Sequence, residues 1–325
     1  MAQGNRFTRF VRLPIASKYA VTKAVIRNPR LLLGEARDAD PVHKLCFTSP
    51  IDDPASLRPA PFVLVAANHG TMIVNRNDFC VSGPFGFGVG HQLLNTSSLN
   101  REEVSLARTI LAERKKARGP GVVAIDCGAN LGVHTVEWAR QMTEWGTVIA
   151  IEAQERIFYS LCGNITINNC MNARAIWAAV GAQPGKMRIP TPDYNQPASF
   201  GSLELRRRKG AEYIGQDINY DHDHCADVDV ISIDRLELKR VDFVKIDVEG
   251  MEIDVLTGAR STIKREKPAM IIEVIKSERS QIKSFLTEFG YRYYRFAENI
   301  LALHEADPMV LGLSEGGGAV KIAAA

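Results

Sequence analysis

Three stretches of the sequence place acids where chemistry could be done. Val122-Val123-Ala124-Ile125-Asp126 is an apolar run ending in a carboxylate, and Cys127-Gly128-Ala129-Asn130-Leu131-Gly132 follows it. The pattern predicts a strand that turns through glycines into a helix. Gly128 lets the turn tighten and Gly132 lets a ligand approach the backbone, since neither carries a Cβ. The spacing is Gly-x-Asn-x-Gly, a poor match to the Gly-x-Gly-x-x-Gly of dinucleotide sites. An acid at the strand end also sits badly beside a pyrophosphate and well beside an ammonium.

The second stretch, Thr147-Val148-Ile149-Ala150-Ile151-Glu152, ends in an acid 26 residues after Asp126. In a strand-helix-strand unit, a carboxylate there can accept hydrogen bonds from both hydroxyls of a ribose. The two strand ends together describe a nucleoside carrying an amino-acid head, which is S-adenosylmethionine or its demethylated product. The set expected to bind it is Asp126, Gly128, Ala129, Asn130, Gly132, Glu152 and Ala153.

The third stretch runs from Phe243 to Glu252 and reads Phe-Val-Lys-Ile-Asp-Val-Glu-Gly-Met-Glu. On a strand, Phe243, Lys245 and Asp247 share one side, and Val244 and Ile246 the other. Glu249 and Glu252 are expected as i, i+3 acids at the start of the following helix, where negative charge is favoured. Glu273 ends the next apolar run; in a methyltransferase-like sheet that strand would neighbour this one, and Lys245, Asp247 and Glu273 would then meet at one sheet edge. Displacement at a sulfonium methyl is in-line, and a hydroxyl acceptor must lose its proton to a nearby base. Asp247 is the first choice for that base and Glu273 the second, with Lys245 holding the carboxylate. Two carboxylates without a third evident ligand make a thin metal site, and none is assigned.

These motifs resemble the FkbM-type family of S-adenosylmethionine-dependent methyltransferases. Ser232-Ile233-Asp234-Arg235-Leu236 matches that family's usual lead-in to its fourth strand. The similarity covers roughly 121–275, under half of the chain, and Lys-x-Asp-x-Glu-Gly-x-Glu is its most specific part. It implies a class I methyltransferase fold and methyl transfer, often to a hydroxyl of a sugar or secondary metabolite. One departure stands out: Ala153 follows Glu152 where relatives commonly carry proline, so the adenine-side loop should differ.

The surrounding elements alternate in the way such a site needs. Strands are expected at Val122–Asp126, Val148–Glu152, Ala173–Val180, Val241–Asp247 and Ala269–Val274, with helices at 132–143, 155–168, 249–264 and 277–289. Short β pieces follow near Tyr291–Phe296 and Ile300–His304. This predicts an α/β, Rossmann-like, doubly wound and mostly parallel sheet, with ligands at the carboxyl ends of its strands. Ahead of it lie a hairpin about His69-Gly70, a Gly-rich connection over 83–90, and a helix from Arg101 capped by Asn100. The polar stretch 184–226 reads as irregular, and its Asp221-His222-Asp223-His224-Cys225 run as a solvated loop. Arg206-Arg207-Arg208-Lys209 reads as a solvated face, or as a grip on an acidic acceptor such as a phosphorylated sugar. The divisions are a basic arm at 1–60, a hairpin-helix region at 61–120, a methyltransferase domain at 121–307 and a loose tail at 308–325.

Composition sets the outer bounds. The 325 residues are 46 % hydrophobic and 24 % charged, which supports a sizeable core. Net charge is +3, but residues 1–34 carry seven basic residues and no acid, so the remainder nets −4. That balance argues against a nucleic-acid substrate and makes the arm a candidate peripheral membrane or protein contact. The first 34 residues also hold a stretch predicted as a helix between Pro14 and Pro29. Six cysteines without a paired spacing indicate reduced thiols and a cytoplasmic setting. The expected activity is O-methylation of a glycan or small metabolite. Its rivals are N- or RNA-directed methylation on the same fold, and a non-catalytic cofactor-binding docking module.

Overall fold

The computed structural model describes residues 59–309 apart from Pro84, Lys209 and Pro308. The basic arm, its expected helix and the tail beyond Met309 lie outside the described residues. By backbone contacts the chain divides after Arg58, and every described residue belongs to the second unit.

The chain enters through the expected hairpin, β1 (Phe62–Ala67) and β2 (Gly70–Asn75), in a register that sets Ala67 opposite Gly70. The Gly-rich connection is more structured than its composition suggests. It forms a small hairpin, β3 (Cys80–Ser82) with β4 (Phe85–Phe87), and then helix α1 (Val89–Thr96). Helix α2 (Arg101–Arg118) follows and stops at Gly119. Asn100 does not cap it with its side chain: the residue is left-handed at φ 40° and faces a cavity instead.

Then the alternation begins: β5 (Val122–Cys127), α3 (Val133–Gln141), β6 (Gly146–Glu152), α4 (Glu155–Ile167) and β7 (Ala173–Trp177). The expected strand 173–180 is two strands, because β8 (Ala179–Val180) leaves the central sheet for a second one. There it lies parallel to β10 (Cys225–Ile231), which pairs antiparallel with β9 (Gly185–Pro190). The stretch read as irregular thus carries β9 and the first residues of β10. The chain returns through β11 (Phe243–Ile246), and the expected helix 249–264 is broken into α5 (Glu252–Thr257) and α6 (Arg260–Glu266). The rest is β12 (Ala269–Glu273), α7 (Arg279–Glu288), β13 (Tyr291–Phe296) and β14 (Asn299–His304).

The central sheet has seven strands in the order β13-β14-β12-β11-β5-β6-β7. Strands β5, β6, β7, β11 and β12 run parallel, and β14 is antiparallel to β12. This is the class I methyltransferase order, an α/β Rossmann-like fold whose order reverses between β5 and β11. Parallel strands covered on both faces read as continuous apolar runs, which is why β5, β6, β11 and β12 are legible in the sequence. Val122, Ala124, Phe243 and Ile271 pack under α2 and α3, where Trp138 meets Phe243 edge to face at 5.1 Å between centroids. Ile125, Val244, Ile246 and Ile272 pack on the opposite face with Val255 and Ile282. Removing the Phe243 ring would cost about 3–5 kcal/mol, the usual range for a buried aromatic.

Candidate functional site

Strand register assembles the site. Lys245 pairs with Asp126 on β5, and Glu273 pairs with Asn299 on β14. Because side chains alternate along a strand, Asp126, Lys245, Asp247 and Glu273 all project to the face beneath α2 and α3. A cavity of about 260 Å³ opens at the carboxyl ends of these strands. Its wall includes Gly128, Ala129, Asn130, Glu152 and Ala153 on one side. Lys245, Asp247 and Glu273 stand in the same wall, so the expected binding and catalytic residues share one space.

The turn after β5 is built by local constraints. Gly128 has φ +77° and Gly132 has φ +85°, both left-handed. Asn130 has φ +50°, a conformation asparagine tolerates, and its Oδ1 accepts from the Leu131 N–H at 2.7 Å. The Gly128 and Ala129 N–H groups donate to the Ile151 carbonyl at 3.0 and 2.9 Å, and Gly132 donates to Ala129. Asn130 donates to Glu152 Oε2 at 2.9 Å. The turn therefore satisfies its own donors, and presents a close surface to a ligand rather than free N–H groups.

Two of the expected contacts fall outside the wall. Gly132 turns against Leu161, so its missing Cβ serves packing within the protein. Asp126 is 1 % exposed and its Oδ2 accepts the Thr135 hydroxyl at 2.6 Å. Its other oxygen has no hydrogen-bond partner, and the residue pairs in register with Lys245. Burial pushes this carboxyl up, and the neighbouring Lys245 charge pulls it back.

Glu152 is buried with one oxygen on the Asn130 N–H and the other on the Gln154 N–H at 2.8 Å. Burial pushes its carboxyl up to about 7 against the pull of those donors. A carboxylate has about four acceptor positions, so capacity remains for a hydroxyl at the cavity. In the loop after it, Gln154 Nε2 donates to the Phe200 carbonyl at 2.8 Å. Tyr194 donates its hydroxyl to Gln154 Oε1 at 3.2 Å. The 184–226 insertion is thereby fastened to the loop beyond Glu152, and its Ser199, Gly201 and Ser202 join the cavity wall.

At the opposite end Lys245 Nζ lies 2.6 Å from Asp247 Oδ2. Burial alone would lower the Lys245 ammonium, but Asp247, Glu103 and Asp126 outweigh it and hold it charged. Burial first, then the charges of Asp247 and Glu249, push Glu273 up to about 9. Glu249 is not on a helix: it sits in a turn at φ +54° before Gly250, and the helix begins at Glu252. Glu252 is spent on that turn, accepting from Gly250 at 3.1 Å and Val248 at 3.3 Å. The turn swings Glu249 into the wall, 2.7 Å from Lys276 Nζ, where burial and Asp247 push it up to about 8. Asp247, Glu249 and Glu273 each bring an oxygen within 4.8 Å of the others, a spacing one divalent cation could bridge. Lys245 and Lys276 already supply positive charge there.

Local reading of the sequence misses Glu103, Asn299, Lys276 and the wall-forming role of Glu249. Each is drawn in from a distant element, and nothing in its immediate neighbours marks it. Asp221–His224 are exposed, as expected, but His222–His224 form a single 3-10 turn and Cys225 already begins β10. Arg206 pairs with Asp254 at 2.5 Å, while Arg208 donates to the Lys276 carbonyl at 2.6 Å. The five described cysteines are free, and no helix among the described residues is long and apolar enough to cross a membrane.

A family model for the methyltransferase FkbM domain matches residues 126–293, just over half of the chain. The chain belongs to the FkbM methyltransferase domain family. Among solved structures, the methyltransferase FkbM from Methylobacillus flagellatus KT is 18 % identical with a TM-score of 0.40. That match covers 57 % of this chain and 43 % of the other, so this chain spans less than half the length of that protein. TYW2 from M. jannaschii, solved in complex with AdoMet, is 13 % identical over 76 % of this chain and 85 % of its own, with a TM-score of 0.38. Precorrin-6y C5,15-methyltransferase from Geobacter metallireducens GS-15 is 11 % identical over 70 % and 95 %, with a TM-score of 0.35. No curated protein matches the chain in sequence. The FkbM span begins at the acid ending β5 and stops inside β13, so it takes in the whole acid-ended set from Asp126 to Glu273.

Proposed function

We propose that this FkbM-family protein binds S-adenosylmethionine between Gly128–Asn130 and Glu152, and methylates a hydroxyl of a sugar, glycan or small metabolite. The observation that carries the reading is the Lys245–Asp247 pair opening onto the same cavity as Glu152. The residues suit the cofactor: Glu152 has acceptor capacity left for a ribose hydroxyl. S-adenosylmethionine supplies a methyl group on a positively charged sulfur.

The chain's own groups do the rest. Lys245 fixes Asp247 in one orientation, so that an acceptor hydroxyl reaching the wall can give its proton to the Asp247 carboxylate. Glu273, pushed up to about 9, holds a proton at neutral pH and can donate a hydrogen bond to the acceptor oxygen. The Phe200–Ser202 turn and α1 flank the cavity, with Gly201, Ser202, Val89 and Gln92 in its wall.

Transfer of labelled methyl groups from S-adenosylmethionine to a panel of sugars and hydroxylated metabolites tests the proposal. Asp247→Asn should bind cofactor as wild type does and lose turnover by about 100-fold or more, the scale of a lost general base. Full activity in that variant would remove Asp247 from the reaction. Methyl transfer to amines or RNA alone would overturn the hydroxyl acceptor.

A further inference from the structure

Glu103 stands in the first turn of α2, outside the span that matches the FkbM family. An acid in a helix's first turn is ordinarily solvated there, and its neighbour Glu102 is exposed in that way. Glu103 instead turns inward, and its side chain is 8 % exposed. Its Oε2 accepts from Asn299 Nδ2 at 2.8 Å, and Asn299 too lies beyond the family span. Its Oε1 has no hydrogen-bond partner, and lies 3.3 Å from His134 Nε2 and 3.9 Å from Lys245 Nζ. Both of those groups stand in the cavity wall.

A buried carboxylate with an unmatched oxygen is costly unless its charge is used. Burial and the nearby Lys245 charge keep His134 neutral, which leaves Lys245 as the cation that Glu103 faces. The Lys245 ammonium has three N–H donors, and the Asp247 bond at 2.6 Å uses one of them. We infer that Glu103, held by Asn299, is a positioning residue that fixes the Lys245 ammonium from behind and so aims Asp247 at the acceptor. The hairpin-helix region is then part of the reaction machinery rather than an appendage to it. The inference rests on the proposed methyl transfer, but the ammonium's position can be read without turnover.

The test uses Glu103→Gln, which keeps the shape and the Asn299 partner, and measures both Lys245 and the reaction. Carbamylation of Lys245 by cyanate, followed by peptide mass spectrometry, should rise about tenfold, as about ten times more of the free amine becomes available once the counter-charge is gone. Turnover should fall by about 10- to 100-fold with cofactor Kd and acceptor KM within about twofold, the pattern of lost orientation. Glu103→Asp should recover part of both effects, which a purely structural role would not predict. Unchanged Lys245 labelling in a Glu103→Gln protein with wild-type thermal unfolding overturns the inference, whatever its turnover does. If that variant does not fold, Asn299→Leu carries the same labelling test. Absence of methyl transfer by the wild type would count against the proposed function, and the labelling result would still decide the role of Glu103.

Discussion

The α-carbon of Gly128 lies against the carbonyl oxygen of Asp247, so close that a Cβ at Gly128 would collide with it. The end of β5 and the end of β11 are thus locked together, and the cofactor turn and the candidate base share one backbone junction. Gly128→Ala must both clash there and hold φ +77°. The two together should cost about 2–5 kcal/mol of stability. Gly119 also has a positive φ, +71°, with ψ −176°, a conformation essentially confined to glycine, but has open space around it, so Gly119→Ala should show backbone strain without a clash. Urea unfolding of both variants separates the terms, and equal losses would mean that the junction is not tight.

Glu152 links cofactor binding to pH. Burial holds its carboxyl at about 7 in the unliganded protein, above its ordinary range. The folded state therefore takes up this proton more readily than the unfolded chain, and the contribution to stability falls as pH rises toward 7. A ribose needs the ionised form, because protonation turns an acceptor into a donor and breaks an N–H bond from Asn130 or Gln154. Cofactor Kd should weaken by up to about tenfold per unit below pH 7 and be flat above it. Glu152→Gln should bind weakly with no such slope. A wild-type Kd that is constant from pH 5 to 8 would remove Glu152 from the ribose.

Asp78 holds the cavity's side wall together. It is 1 % exposed, accepting from the Gly90 N–H at 2.8 Å and the Phe200 N–H at 3.0 Å. Asp78→Ala strands two buried donors, at about 1–3 kcal/mol each. Hydrogen exchange should quicken at Gly90 and Phe200 before it does so in β5 or β11. Cofactor Kd should weaken as well, since the Phe200 carbonyl accepts from Gln154 on the loop beyond Glu152. Uniform loss of protection across the sheet would show a global effect instead.

What the sequence reveals follows from how local the cause is. Strands β5, β6, β11 and β12 are buried on both faces, so each writes its own apolar run and ends it with a visible acid. Strands β9 and β10 have an open face, where Asp227 pairs with Arg188 at 3.2 Å and Asp229 with Lys186 at 3.4 Å. Each segment alone reads as a polar loop, because its partner is some 40 residues away. Asp247 and Glu273 are legible as a pair because they end neighbouring strands. Glu249 is misplaced by the same reasoning, since one left-handed residue ahead of Gly250 delays the helix and redirects the side chain. Glu103 has an ordinary local meaning as a first-turn acid, and only the three-dimensional neighbourhood of Lys245 and Asn299 gives it another.

The hairpin's attachment offers a last measurement. Strand β2 has an open edge, and α4 with its C-terminal cap residue covers it with two asparagines one turn apart, Asn164 and Asn168. Asn164 Oδ1 accepts from the Ile73 N–H at 2.6 Å and its Nδ2 donates to the Ile73 carbonyl at 3.2 Å. Asn168 does the same for Thr71, at 3.2 Å and 2.8 Å. Four residues of helix advance about 6 Å, close to the rise of about 6.6 Å over two residues of strand. The helix can therefore stand in for a missing strand. Asn164 is fully buried and also donates to the Leu131 carbonyl at 2.8 Å, in the cofactor turn, whereas the Asn168 bonds to Thr71 are exposed. Asn164→Ala should cost about 2–3 kcal/mol and weaken cofactor binding, because buried groups lose partners on both sides. Asn168→Ala should cost under about 1 kcal/mol, since water replaces what it loses, and leave binding unchanged. Calorimetry on the pair reads the difference directly: matching losses of affinity would mean that the hairpin edge, and not the Asn164–Leu131 bond, supports the cofactor turn.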